Sequence, residues 1–164
     1  MPPFTFIKRI LQPLFTALLT SSSATTLPVS MIAAEKELGV DRAKASFILP
    51  LGATANMDGT ALFEGIAAIY LAYMFGIDLG STEIITVFLI SMLSSIGAPG
   101  MPSGSMAGMQ LVLLAVGIPL EAIALLLLIE RPLDTFRTAV NVEGDLAGCL
   151  VVEHFMTGKE KAAA

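Results

Sequence analysis

Placed on a helix at about 100° per residue, Asp134, Arg137, Thr138, Asn141 and Asp145 fall within one wedge of roughly 100°. An acid, a base, a hydroxyl, an amide and a second acid therefore share one face. Asp134 and Arg137 are three apart and can pair, which allows one reading, a self-satisfied salt-bridge network in a buried helix. The other reading is a binding face for a small zwitterion that carries an extra acid. Arg137 can grip a carboxylate with a bidentate fork, Asp134 can accept from an ammonium, and Asn141 can donate to a second carboxylate. The ligand reading is favoured because polar groups beyond this stripe, Asn56 and Asp58 among them, would otherwise be buried to no purpose. Glu143 points away from the stripe and has no part in either reading.

The remaining polar groups lie in interrupted apolar stretches. Residues Phe4 to Leu19 are mostly apolar, the run Thr20-Ser21-Ser22-Ser23-Ala24-Thr25-Thr26 breaks them, and Leu27-Pro28-Val29 resumes. Glu83 to Leu93 and Met106 to Val116 repeat the design around Ser94 to Ser105, where Gly97, Pro99, Gly100, Pro102 and Gly104 rule out a continuous helix. A spanning helix needs about 20 mostly apolar residues, so each pair of short arms reads as a re-entrant hairpin. Its polar tip is tolerated at membrane depth only if buried in protein or lining a wet cavity. Exposed backbone N–H groups at such tips suit carboxylates, since half-helix N-termini carry partial positive charge.

Lys and Arg collect on cytoplasmic flanks. Lys8 and Arg9, then Lys36, Arg42 and Lys44, then Lys159 and Lys161 mark three such zones, whereas Gly76 to Glu83 holds no basic residue. Arg131 and Arg137 lie inside the last hydrophobic region. The two hairpins therefore enter from opposite faces, a pairing that points to the binding site of a transporter built on inverted repeats. The expected fold is an all-α membrane protein of five parts. A first re-entrant hairpin covers 1–35, a transmembrane helix broken at Asn56-Asp58 covers 45–76, and a second hairpin covers 83–117. A last transmembrane helix covers 118–155, kinked at Pro132, and a cytoplasmic tail covers 156–164.

Composition agrees with a membrane protein: 55% apolar, 14% charged and a mean hydropathy of +0.81, against about 45–50% and 25% in a soluble domain. The net charge is -5 and the basic residues form no long run, so nucleic acid is not a partner. No cleavage site follows Lys8 and Arg9, so the first segment is expected to stay in the chain. A single cysteine, Cys149, excludes an internal disulfide, and with one histidine, His154, a Zn²⁺ site lacks ligands. His154 reads as an interfacial residue. Ser103 stands one place late for a G-x-S-x-G elbow and no triad histidine exists, so the chain is not an enzyme. Na⁺ or a proton fits better: Asp58 and Asp145 supply charge, and backbone expected to be unwound near Gly52 to Asn56 and Ser95 to Ala98 supplies carbonyls.

Ser21-Ser22-Ser23-Ala24-Thr25-Thr26-Leu27-Pro28, Asn56-Met57-Asp58-Gly59-Thr60, the Gly/Pro tip from Ser95, Asp134-Thr135-Phe136-Arg137-Thr138 and Asn141-Val142-Glu143-Gly144-Asp145 together resemble the C-terminal half of the dicarboxylate/amino acid:cation symporter family, the glutamate transporters. The resemblance covers nearly the whole chain. It implies a core that moves as a rigid elevator against a fixed scaffold in the cell (inner) membrane, with the second hairpin, 83–117, as gate and with a cytoplasmic C-terminus. By position, Asp134 holds the substrate amine, Arg137 its side-chain carboxylate, and Asn141 with Ser22 and Ser23 its α-carboxylate. Thr60, Met57 and the backbone of Met101 complete the pocket. Coupling-ion sites use Gly52, Asn56, Asn141 and Asp145; Thr54, Ser95, Ile96 and Ala98 through backbone oxygens; and Asn56 with Asp58. The implied N-terminal scaffold half and trimer interface are not among these residues.

Two departures bear on function. Many relatives carry a second arginine at the position of Ser21 or Thr135, and Ser105 stands where a glycine is usual in the gate. The resulting expectation is Na⁺- or H⁺-coupled transport of glutamate or aspartate, with no organic cofactor. A C4-dicarboxylate symporter, a membrane channel or binding protein, and a truncated product that does not transport alone are the alternatives.

Overall fold

The computed structural model describes residues 1–163, with side chains described as far as Thr157. Every element among them is helical: α1 (Pro3–Arg9), α2 (Leu11–Thr20), α3 (Ser23–Ala33), α4 (Arg42–Ala55), α5 (Asp58–Met74), α6 (Ser81–Ser95), α7 (Ser105–Ala115) and α8 (Ile123–Ala163). A π-helical turn, Ala34–Leu38, extends α3, and a 3-10 turn, Leu120–Ala122, leads into α8. The boundaries follow local chemistry. Ser22 caps α3 by accepting from the Thr25 N–H at 3.1 Å, and Asp41 caps α4 by accepting from Ala43 at 2.9 Å and Lys44 at 3.3 Å. Gly39, at φ 73°, ends the π turn in the left-handed region that glycine adopts without strain.

Three local details differ from the sequence expectation. The first tip is narrower than the Thr20–Thr26 run: only Ser21 and Ser22 lie outside a helix. Serine and threonine are weak helix breakers, and here Ser22 turns a break into a cap. Gly52 to Ala55 is not unwound but forms the last turn of α4, where the Gly52 carbonyl accepts from the Asn56 N–H at 2.8 Å; the break is confined to Asn56 and Met57. Beyond Pro132, α8 continues as one helix of 41 residues, past the expected end at 155. Lys159 and Lys161, expected in the tail, lie outside the described side chains.

Two apolar clusters hold the helices. Phe6, Ile10, Ala17, Leu49, Val142, Leu146 and Cys149 join α1, α2, α4 and the C-terminal part of α8. Ala68, Leu71, Val87, Met109, Val112 and Leu126 join α5, α6, α7 and the start of α8. Thus α2 and α3 pack on each other beside one part of α8, α6 and α7 pack on each other and on α5, and the polar stretch of α8 runs between the clusters. Outside, large apolar side chains stand in the open: Phe4 is 86% exposed, Leu19 87%, Tyr73 83% and Leu128 82%. No helix among the described residues is long and apolar enough to cross a membrane. From α1 to α7 the helices are short of the about 20 residues a span needs, and α8 has the length but carries the charged stripe.

Candidate ligand-binding site

The α8 stripe is buried. Asp134, Arg137, Thr138, Asn141 and Asp145 are each at most 6% exposed, as a shared helical face turned inward requires. Its floor is the break between α4 and α5. Gly59 lies so close to α8 that a Cβ there would sit 2.5 Å from the Arg137 carbonyl oxygen, and its N–H donates to Asn141 Oδ1 at 2.8 Å. The Asn141 amide in turn donates to Thr60 Oγ1 at 3.3 Å and to Met57 Sδ at 3.2 Å. A side chain at residue 59 would part the two helices that carry the site.

Above this floor the two tips meet. The Gly100 carbonyl, on the second tip, accepts from the Ala24 N–H at 3.1 Å and from Ser22 Oγ at 2.8 Å. Glycine at residue 100 permits the approach, because a Cβ there would lie 3.0 Å from the Ala53 carbonyl and 3.5 Å from Ser23 Cβ. Tips and floor enclose a polar cavity of about 10 Å³, room for about one water. Of the sequence candidates, Ser23, Met57, Thr60, Met101, Asp134, Arg137, Thr138 and Asn141 line it, joined by Ser21, Gly104 and Ser105. Ser22 does not: its hydroxyl is spent on the cap and on Gly100. Met101, although it lines the cavity, is 60% exposed.

Arg137 is held more tightly than the stripe alone implies. Its Nη2 donates to Asp134 Oδ1 and, at 3.1 Å, to Glu130 Oε1, and its guanidinium lies 4.4 Å from the centre of the Phe63 ring. Its Nη1 is buried with no partner. Sequence reasoning passed over Glu130, which is 3% exposed. Four residues before Asp134, it is the same stripe continued one turn back, past Pro132, where the helix was expected to kink. Glu64 was also missed. It is fully buried on α5, one turn after Thr60, where it accepts from Ser94 Oγ through Oε2 while Oε1 has no partner; a carboxylate in the middle of an apolar helix was the available signal.

The candidate cation ligands divide. Asn56 Nδ2 donates to Asp145 Oδ1 at 3.2 Å, and two glycines let these groups converge. A Cβ at Gly52 would stand 2.5 Å from Asp145 Oδ1, and one at Gly144 would stand 3.0 Å from Asp58 Oδ2. Asn141 reaches the same break through Gly59. Thr54 is exposed and donates to its own helix at Leu51, Ser95 donates to Met92, and Ile96 is 53% exposed while Ala98 is buried. These four belong to the end of α4 and the start of the second tip rather than to the Asp145 group. Among the described residues no group of three or more His, Cys, Asp or Glu side chains converges as a metal cluster.

Paired helical breaks meet over a buried acid, base and amide, an arrangement that transporters built on inverted repeats use. The chain belongs to the sodium:dicarboxylate symporter family, whose model matches residues 1–155. It is 49% identical over 152 residues to human excitatory amino acid transporter 2, covering 93% of this chain and 26% of that protein. The excitatory amino acid transporter of Onchocerca volvulus is 44% identical over 153 residues, covering 93% and 31%, and mouse excitatory amino acid transporter 3 is 46% identical over 151, covering 92% and 29%. The chain therefore spans less than a third of the length of these curated relatives. The family and these relatives are transporters rather than enzymes, and membership makes this a membrane protein.

Proposed function

We propose that this chain is the substrate-binding core of a cation-coupled symporter for acidic amino acids such as glutamate and aspartate. The observation that carries the reading is the meeting of the two tips, Gly100 against Ala24 and Ser22, directly over the buried Asp134, Arg137 and Asn141. Asp134 takes the ligand amine and Arg137, through its unpartnered Nη1, takes the side-chain carboxylate. Asn141 and the tip at Ser23 take the α-carboxylate, with Ser22 holding that tip through its cap and its bond to Gly100 and with Met57, Thr60, Thr138 and Met101 closing the sides. A cavity of about 10 Å³ is smaller than any amino acid, so admission parts the tips, and the second tip is the gate.

The coupling ion, Na⁺, is a co-substrate. Asp145, Asn56 and Asp58, brought together by Gly52 and Gly144, give it oxygen ligands beside the same α4–α5 break that seats Asn141. Ion and ligand thus share one floor, which is what coupling requires; Thr54, Ser95, Ile96 and Ala98 offer backbone oxygens for a second ion. Exposed apolar residues on the outer faces fit lipid and a scaffold supplied by the rest of a family protein, against which this core moves as an elevator within a homotrimer. The hairpins enter the bilayer from opposite sides and the C-terminus is cytoplasmic. An amine partner at Asp134 favours amino acids over plain C4-dicarboxylates, and the names of the relatives point the same way.

The test is uptake into proteoliposomes by a chimera in which this chain replaces the matching part of the human relative. Aspartate and glutamate accumulate only with an inward Na⁺ gradient, and Arg137→Cys abolishes it. Uptake that ignores the cation gradient, or survives Arg137→Cys unchanged, contradicts the proposal.

A further inference from the structure

One guanidinium and one residue of the second tip are joined by two carboxylates. Arg137 Nη2 donates to Glu130 Oε1 at 3.1 Å, and the other oxygen of Glu130 accepts from Ser103 Oγ at 3.0 Å. Asp134 repeats the bridge: Oδ1 accepts from Arg137 and Oδ2 accepts from the Ser103 N–H at 3.0 Å. Ser103 has φ 62°, a left-handed conformation that costs a non-glycine residue about 1 kcal/mol or more. These contacts offset that cost.

Two buried acids face one base. Arg131, the next cation, reaches only Asp134, at 3.8 Å, with its side chain 65% exposed. A third carboxylate brought in by a ligand therefore meets a surplus of negative charge unless one resident acid lets go of Arg137. Asp134 is the partner for a ligand amine, so it gains a cation in exchange. Glu130 gains none. Its carboxylate is chemically the same group as the side chain of an acidic amino acid, and it occupies Nη2, the second donor that a bidentate grip on such a side chain would need beside the unpartnered Nη1.

We propose that Glu130 is a positioning residue acting as an internal surrogate for the ligand's side-chain carboxylate: it holds Arg137 and, through Ser103, the closed second tip, and it yields Arg137 when an acidic ligand binds. The inference rests on the acidic-ligand reading of the site. It makes the affinity for acids a competition between two carboxylates, one resident and one arriving, and it makes the closed tip attainable with the resident one.

The experiment measures Kd for aspartate and for asparagine in Na⁺ on the purified chimera, in wild-type form and with Glu130→Gln. Removing a like charge at ion-pair distance tightens aspartate by about fivefold or more. Asparagine, which brings no side-chain charge, shifts by less than about twofold. Glu130→Asp, which keeps the charge, leaves the ratio of the two Kd values near that of the wild type. An unchanged or weakened aspartate affinity in Glu130→Gln, or an equal shift for both ligands, overturns the surrogate while leaving the acidic-ligand reading in place. A wild-type protein that binds no aspartate overturns both.

Should Glu130→Gln fail to fold, Ser103→Ala carries the test, because it cuts only the tip end of the Glu130 bridge. Amide hydrogen exchange at residues 99–104 then rises by about threefold or more, as loss of one hydrogen bond to a charged group implies, with residues 21 and 22, whose amides donate within the first tip, unchanged. Unchanged exchange at 99–104 overturns the proposal.

Discussion

The two tips meet at Gly100 but are built on different principles. The first is two residues long and is satisfied by its own chain. Ser21 N–H donates to the Ala17 carbonyl at 2.9 Å, Ser22 Oγ caps α3, and Thr26 Oγ1 donates back to the Ser22 carbonyl at 2.8 Å. The second runs from Ile96 to Gly104, and no side chain caps the start of α7. Its turns are short-range, such as Met101 N–H to the Pro99 carbonyl at 2.8 Å. What ties it to the rest of the molecule comes from elsewhere: Ser103 on the α8 carboxylates and Gly100 on the first tip. A segment positioned by its own backbone stays put when a neighbour moves, whereas one positioned by borrowed contacts moves when they break. On the proposed reading of the site, this difference makes the first tip the fixed wall and the second the moving one.

The largest effect is expected from removing what both tips rest on. Gly59→Val sets a branched side chain against the Arg137 carbonyl, and overpacking of this kind costs about 3 kcal/mol. Thermal melting in detergent should show a sharply lowered midpoint, and uptake should be lost. A folded, active variant would mean that the α5–α8 contact is not the floor of the site.

Next comes the contrast itself. Amide exchange at residues 96–104 should be about tenfold or more faster than at 20–26, since local opening follows the loss of a few borrowed contacts. Equal protection of the two tips would erase the distinction. The smallest effect belongs to the first tip: Ser22→Ala removes the cap and one bond to Gly100 and lowers stability by about 1 kcal/mol, read by denaturant melting, with uptake reduced but present. A loss as large as that of Gly59→Val would make the first tip, too, dependent on contacts across the gap.

Much of this organisation was legible in the residues. The helical repeat gave the α8 stripe its common face, and all five members are buried together. Gly97, Pro99, Gly100 and Pro102 announced the second break, since neither residue type sustains a helix interior. The first break was overestimated because Ser23 to Thr26 are polar yet helix-compatible once Ser22 caps them. Backbone near Gly52 to Asn56 was expected to be unwound, but only Asn56 and Met57 leave the helix, and the glycine at residue 52 makes room for Asp145 rather than for unwinding. Glu130 went unseen for a similar reason. Pro132 was expected to kink the helix just before the stripe, while α8 runs through it as one helix and the face continues on either side. The tip-to-tip contact was beyond reach, for it joins residues 78 apart through a carbonyl oxygen that every residue possesses.

The central claim, that ligand passes where the tips meet, is tested most directly by a reversible staple. A Cβ at Gly100 would lie 3.5 Å from Ser23 Cβ, within the roughly 3.5–4.5 Å that a disulfide spans. In the chimera with its other accessible cysteines and Cys149 replaced, Ser23→Cys with Gly100→Cys should cross-link on oxidation, abolish Na⁺-driven aspartate uptake, and regain it on reduction. Full uptake by the cross-linked protein would contradict the account.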